Sequence, residues 1–268
     1  MSDKKENPMF SAGEKYDRQT GAWSQLLAPG FVEFMQIREG DSVLDVGCGT
    51  GILTLTISRN TKASKIVGID QSAGFIKYAS EKRSDARVSY KQGDAQSLPS
   101  SDASFDRSMA MLVIGFIPDA SKAVRELKRV TKPGGSVGAV WWDTVGRMDH
   151  NRSLWEAAIA VDPSADSVSP GKYIAYGSAE GISACWTDAG LRDVDVRGLV
   201  VEREFASLDD YWLPLVTAQG VAGTYLGSLS PELQAAIRER LRQNLLGDRA
   251  DGPFSLQAKA WAVKGTVP

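Results

Sequence analysis

The chain has 268 residues, 43% hydrophobic and 24% charged, with 31 Lys and Arg against 33 Asp and Glu and a formal net charge of −2. That balance belongs to globular proteins with a sizeable core; it excludes a fibrous repeat or a disordered chain and offers no general positive charge for nucleic acid. Two Cys and one His are too few for a disulfide framework or an ordinary Cys/His zinc site.

The opening stretch MSDKKENPMF is charged and has no apolar core behind it, so it reads as a tail rather than a secretory signal. YDRQTGAWSQLLAPGFVEFMQI then carries apolar residues at helical spacing, and its Pro29 and Gly30 predict a break into two helices. DSVLDVG predicts a strand, a tight glycine loop follows, and ILTLTISRN has helical length. The alternation continues through the strand KIVGID, the helix AGFIKYASEKRS, the strands VSYKQGD and FDRSMAML, the helix ASKAVRELKRVT, the turn KPGG and the strand SVGAVWW. Strands alternating with helices predict a doubly wound α/β fold, a parallel sheet covered on both faces. The longest apolar run, Met109 to Ile117, has nine residues, about half of the roughly 18 that a membrane helix needs. A cytoplasmic protein without membrane insertion is expected.

The period breaks after Asp143, and residues 145 to 178 read as a loop-rich, partly helical insertion of the kind that builds a lid. AEGISACWTDAG predicts a helix closed by Gly190, and RDVDVRGLVVEREF a long strand. Two helical patterns follow, LDDYWLPLV and SPELQAAIRERLRQNLL, the second opening with Ser230 as N-cap and Pro231 at the first helical position. SLQAKAWAVKG predicts a last strand with Leu256, Ala258, Ala260 and Ala262 on one face.

The chemistry concentrates in LDVGCGTGIL, residues 44–53, which places Gly47, Gly49 and Gly51 at the mouth of the first strand. Ligands of such sheets bind outside the carboxyl ends of the strands, and glycines let backbone approach them closely. A dinucleotide fingerprint, G-x-G-x-x-G, needs its third glycine at position 52, which is Ile52. Asp45, two residues before the first glycine, repels a pyrophosphate and suits a ligand carrying positive charge. Asp70 ends the second strand, where an acid can accept from both hydroxyls of a ribose. Asp94 and the N–H of Ala95 follow the third strand, in position to read an adenine edge. Glycine loop, amine-facing acid, ribose acid and adenine reader together describe a nucleoside joined to an amino acid, and S-adenosylmethionine fits.

With VLDVGCGTG at 43–51, VGID at 67–70, GDAQSLP at 93–99, FDRSMAMLVIGFIPD at 105–119 and LKRVTKPGG at 127–135, the chain resembles the class I S-adenosylmethionine-dependent methyltransferases. Within them it is similar to the small-molecule branch that includes the quinone-biosynthesis C-methyltransferases, the type 11 methyltransferases. The likeness is strong over roughly residues 40 to 145 and implies a Rossmann-like seven-stranded sheet, mostly parallel, with an antiparallel last strand and helical cap insertions. One methyltransferase domain spans 1–268, with a core at about 36–145, 178–205 and 254–265 and a cap from 10–30, 146–177 and 206–252. The implied cofactor set is Asp45, Gly47, Cys48, Gly49, Thr50 and Gly51 at the methionine end, Asp70 and Gln71 at the ribose, and Asp94 and Ala95 at the adenine. Ala110 and Met111 lie beside the sulfonium, and Tyr16 and Trp23 come from the N-terminal helix. Many relatives carry a His just after the fourth strand, where this chain has Gly115 and Phe116.

Methyl transfer is an in-line displacement that positioning can accelerate by roughly 7 to 11 kcal/mol, and a base is needed only where the acceptor must lose a proton. His150, the sole His, is the candidate base, against the ordinary reading of a lone loop His as a solvated residue. Trp142, Asp143 and Phe116 are candidates for the acceptor pocket. Cys48 reads as a small buried side chain rather than a nucleophile, and Trp186, Tyr211, Trp212 and Tyr225 as core with a minor claim to an acceptor surface. The expected activity is methyl transfer from S-adenosylmethionine to a small apolar or aromatic acceptor, with no metal, no nucleic-acid partner and the oligomeric state left open. The rivals are a catalytically inactive S-adenosylmethionine-binding sensor or partner protein and a nicotinamide-dependent oxidoreductase.

Overall fold

The computed structural model describes residues 21–144, 148–169, 176–217 and 221–268, without the side chains of His150 and Thr217. Tyr16 therefore lies outside the described residues. The elements in order are α1 (Gly21–Met35), β1 (Ser42–Val46), α2 (Ile52–Asn60), β2 (Lys65–Asp70), α3 (Ala73–Glu81), β3 (Val88–Gln92), β4 (Phe105–Met111), a 3₁₀ turn (Ile114–Phe116), α4 (Ala120–Val130), β5 (Thr131–Trp142), α5 (Asp149–Val161), a second 3₁₀ turn (Pro163–Ser167), α6 (Ala179–Asp188), β6 (Arg192–Phe205), α7 (Leu208–Thr217), α8 (Val221–Gly227), α9 (Pro231–Leu246) and β7 (Phe254–Thr266).

The strands form one seven-stranded sheet in the order β3-β2-β1-β4-β5-β7-β6. β1 pairs in parallel with β2 and β4, β2 with β3, and β4 with β5. β7 runs antiparallel to β5, from Ser136 opposite Thr266 to Trp142 opposite Ala260. The predicted α/β class, strand number and reversed last strand are all present. Because helices cover the parallel part on both faces, β1 and β2 read as continuous apolar runs and are buried along almost their whole length. β7 alternates instead, and its expected inner face, Leu256, Ala258, Ala260 and Ala262, is buried.

Two expectations need correction. α1 runs unbroken through Pro29 and Gly30. A proline inside a helix costs about 3 kcal/mol, but Leu27, Phe31, Phe34 and Met35 are all buried on this helix, and each contributes roughly 1.5 to 3 kcal/mol. Burial outweighs propensity. Secondly, KPGG does not separate α4 from the fifth strand by a free turn. β5 begins at Thr131 opposite Phe105, and the ladder resumes at Ser136 opposite Arg107, so residues 132–135 form a bulge within the strand. Gly134 supplies its left-handed residue, with φ 75°.

The chain divides into two compact units. The described residues of the first are 21–142, 176–199 and 260–268. Here Trp186 is wholly buried and its indole N–H donates to the Val137 carbonyl at 2.9 Å. The second unit takes in 143–144, 148–169, 200–217 and 221–259. In it α5 packs on α9, the Tyr225 hydroxyl donates to Asp162 at 2.8 Å, and Tyr211 meets Phe205 edge-on at 5.2 Å between ring centres. Ser230 caps α9 as predicted, accepting from the Leu233 N–H at 3.3 Å. α8 was not expected from the sequence. Trp186 and Tyr211 therefore serve the interiors of separate units, as the core reading expects.

β5 and α1 meet where only a hydrogen fits. A Cβ at Gly138 collides with the Met35 sulfur, 2.8 Å from its terminal methyl and 3.0 Å from the Val263 carbonyl. Gly138→Val is expected to lower stability by roughly 1 to 3 kcal/mol or more, read as an earlier midpoint in urea denaturation.

Candidate functional site

The strand order reverses between β1 and β4, and at that point the carboxyl ends of β1 to β4 open a cavity of about 730 Å³, entirely within the first unit. Helices leave such a reversal on opposite faces, so the crevice is a consequence of topology.

The glycine loop forms its floor. The N–H groups of Gly47 and Cys48 donate to the Ile69 carbonyl at 2.7 and 3.0 Å, and that of Gly51 to the Cys48 carbonyl at 2.8 Å. Gly47, Gly49 and Gly51 have φ of 70°, 52° and 87°, a region where side chains other than glycine's are strained. Their surroundings differ. A Cβ at Gly47 strikes Val113, and one at Gly51 lies 2.5 Å from the Tyr90 hydroxyl, while at Gly49 nothing stands within 4 Å. Gly47 and Gly51 are small so that the loop can pack; Gly49 is bare toward the cavity, which it lines together with Gly47.

Asp70 ties this loop to the next helix. One carboxylate oxygen accepts the Gly49 N–H at 2.9 Å and the other the Ser72 N–H at 2.9 Å. Burial pushes its pKa up, against those two N–H groups, which favour the charged form. Asp94 is held in the same manner, its Oδ1 accepting the Gln96 N–H at 2.9 Å and the Gln96 amide at 3.3 Å. Asp70, Gln71, Asp94, Ala95 and Met111 all line the cavity, as does the expected acceptor residue Phe116.

The remaining expected residues lie elsewhere. Asp45 is buried beneath the loop, outside the cavity lining, and its Oδ2 accepts the Thr54 hydroxyl at 2.6 Å. Burial pushes its pKa up to about 7, with Thr54 opposing and the nearby Asp70 charge adding to the rise. β1 turns this side chain inward, so that it supports the loop from beneath. Cys48, Thr50 and Ala110 are also buried off the lining. Burial, then the charges of Asp45 and Asp70, raise the Cys48 thiol well above its ordinary range, which agrees with packing and not nucleophilic chemistry. Trp23 is buried and meets Trp142 edge-on at 6.5 Å between ring centres, and neither lines the cavity. Asp143 belongs to the second unit, where its carboxylate lies 3.8 Å from the Lys259 ammonium. His150 stands in the first turn of α5, not in a loop, and its side chain lies outside the described residues.

Gly115 has a packing reason to lack a side chain, since a Cβ there runs into the Trp141 ring. Phe116, 56% exposed, meets the same ring edge-on at 5.1 Å. Sequence reasoning missed Ile69, Phe75, Gln92, Gln96, Leu112 and Ile117, which also line the cavity. Gln92 ends β3 as Asp70 ends β2, a signal the strand-end rule contains. Leu112 adopts φ 55°, a strained turn that its sequence does not announce.

A site of this kind, a glycine loop with one acid at the end of β2 and another just beyond β3, defines a nucleoside-cofactor protein on a doubly wound sheet. The sequence profile of the methyltransferase domain matches residues 44–138. The demethylmenaquinone methyltransferase of Lactobacillus johnsonii is 31% identical over 169 residues, 58% of this chain and 67% of that protein. That of Staphylococcus carnosus is 38% identical over 107 residues, 38% of this chain and 43% of that protein. The chain belongs to the class I S-adenosylmethionine-dependent methyltransferases, and S-adenosylmethionine is its cofactor. Solved structures share the fold: the Haemonchus contortus phosphoethanolamine N-methyltransferase 2 in complex with phosphomonomethylethanolamine and S-adenosylhomocysteine (19% identity, TM-score 0.58, 96% of this chain and 57% of that one) and an S-adenosylmethionine-dependent methyltransferase from Aquifex aeolicus (23%, 0.52, 70% and 91%). No helix among the described residues is long and apolar enough to cross a membrane, and no group of three metal-ligating side chains occurs among them.

Asp45 makes stability depend on pH. Burial holds its carboxyl at about 7, above the ordinary aspartate range of about 4, so the folded state holds the extra proton between about 4 and 7 and stability falls as pH rises through that window. Relative to wild type, Asp45→Asn is expected to be equally stable near pH 4 and more stable by pH 8, by up to roughly 4 kcal/mol. Urea denaturation across that range measures it; parallel curves for the two proteins would place the carboxylate in water.

Proposed function

We propose that the protein transfers the methyl group of S-adenosylmethionine to a small, apolar or aromatic acceptor, of which a reduced quinone is the leading candidate. The observation that carries this reading is a single cavity lined at one side by Gly49, Asp70 and Asp94 and at another by Met111, Val113 and Phe116, so that polar cofactor-type groups and an apolar rim share one space. The names of the curated relatives, demethylmenaquinone methyltransferases, support the acceptor class. Their matched segments cover 67% and 43% of their own length, and the acceptor is proposed on that footing.

In this reading the backbone of Gly47 and Gly49 holds the methionine end, Asp70 accepts from the ribose hydroxyls, and Asp94 with the Ala95 N–H reads the adenine. S-adenosylmethionine supplies an electrophilic methyl on a cationic sulfur. The chain's task is then to hold the acceptor in line and exclude water, which Leu112, Val113 and Phe116 are suited to do. Asp70 already accepts a backbone N–H on each carboxylate oxygen, so it is fixed before any ligand arrives and loses little entropy on binding.

Calorimetric titration with S-adenosylhomocysteine, S-adenosylmethionine and NADH in parallel tests the cofactor, with micromolar binding expected for the first two and none for NADH. Asp70→Ala is expected to weaken S-adenosylhomocysteine binding at least about tenfold, since charge-assisted hydrogen bonds contribute roughly 1.5 to 3 kcal/mol each; unchanged affinity removes the ribose assignment. Methyl uptake is then assayed with reduced demethylmenaquinone analogues, simple phenols and amines. Turnover of the amines alone would replace the acceptor class, and cofactor binding with no turnover of any would favour the sensor reading.

A further inference from the structure

Beyond the residues that touch a ligand, the cavity has a joint between its two sides. Gln96, half-exposed on its lining, uses both ends of its amide. The nitrogen donates to Asp94 Oδ1 at 3.3 Å, and the oxygen accepts the N–H of Asp119 at 3.2 Å. Asp119 in turn is the N-cap of α4, its carboxylate accepting the Lys122 N–H at 2.8 Å. It closes the segment Ile114–Pro118, whose Phe116, Ile117 and Pro118 form the apolar rim. A second attachment runs in parallel: the Leu98 N–H donates to Glu126 at 2.8 Å, and Arg129 donates to the carbonyls of Leu98 and Ser100 at 3.1 and 2.9 Å. The loop after β3 is therefore fastened to α4 at two places, and Gln96 is the one that reaches both Asp94 and the rim.

We propose that Gln96 is a positioning residue that couples occupation of the Asp94 end of the cavity to ordering of the rim Ile114–Asp119, so that cofactor prepares the acceptor side before the acceptor arrives. The inference rests on the placement of the adenosine at Asp94 and Ala95. The rim's side chains pack on Trp141, and the physical reason for a coupling lies in its backbone. Its internal backbone bonds are a short turn, Phe116 N–H to Val113 at 2.9 Å and Ile117 N–H to Ile114 at 3.3 Å, and short 3₁₀ turns are poor at sustaining themselves. A ligand that immobilises Asp94 immobilises the Gln96 amide, and with it the Asp119 N–H and the first turn of α4. Linkage makes the effect reciprocal, so an acceptor that orders the rim tightens the cofactor by the same factor.

Amide hydrogen exchange of the full chain, with and without saturating S-adenosylhomocysteine, measures the coupling. In wild type, exchange across residues 116–122 is expected to slow by about tenfold on addition of the ligand, a change of the size that local opening equilibria show. Gln96→Met keeps the side chain's length and removes both hydrogen bonds; in it the slowing is expected to fall below about twofold. Calorimetric affinity of the variant should change less than exchange does, which separates coupling from loss of the site. Glu126→Gln, which weakens the second attachment only, should retain the wild-type slowing. Full ligand-dependent protection in Gln96→Met, or none in a wild type shown by calorimetry to bind, overturns the proposal. Absence of binding by wild type would instead remove the cofactor assignment on which it rests.

Discussion

The carboxylate of Asp70 is the constraint on which the site depends. It bridges the Gly49 N–H and the Ser72 N–H, and so joins the loop after β1 to the start of α3. Without an acceptor there, a loop of three left-handed glycines would have little to hold its shape, because glycine loses more backbone freedom on folding than any other residue. The cost of burying the charge is offset by two donors that favour the ionised form. One acid thus does structural work before it meets any ligand.

Around that bridge the loop is closed by packing from both sides. Val113 stands against Gly47 and Tyr90 against Gly51, so the turn after β4 and the strand β3 each press one glycine into place and leave Gly49 open between them. Beneath, Asp45 and Thr54 bond to one another out of the water, joining the strand that enters the loop to the helix that leaves it. The glycine-loop side of the site is thereby held firmly. The apolar side, the turn after β4, has fewer internal bonds and draws support from Trp141 and from Gln96.

A second group of residues shows why motif and role are separate questions. Cys48, Thr50 and Gly51 stand in the glycine motif but not on the cavity lining, and Gln96 and Leu112 stand on the lining although their motifs, GDAQSLP and FDRSMAMLVIGFIPD, assigned them no role. A motif records which residues the local backbone needs, whereas the lining records which of them the neighbouring strands leave uncovered. In a parallel sheet these differ, because alternate side chains point to opposite faces.

What the sequence by itself determined is the alternation of strand and helix, the glycine loop at the mouth of β1, the acids at the ends of β2 and beyond β3, and the alternating faces of β7, whose reversed direction came only from the family resemblance. These are local signals, period and turn chemistry, legible within a dozen residues. Only the tertiary structure decided that Asp45 points inward to Thr54, that Pro29 lies within a continuous helix, that KPGG bulges inside β5, and that Gly115 is bare because Trp141 occupies the space beside it. Apart from the Asp45–Thr54 bond, which spans nine residues, these outcomes depend on partners far away in sequence, and the burial or clash they bring exceeds the preference of the local chain.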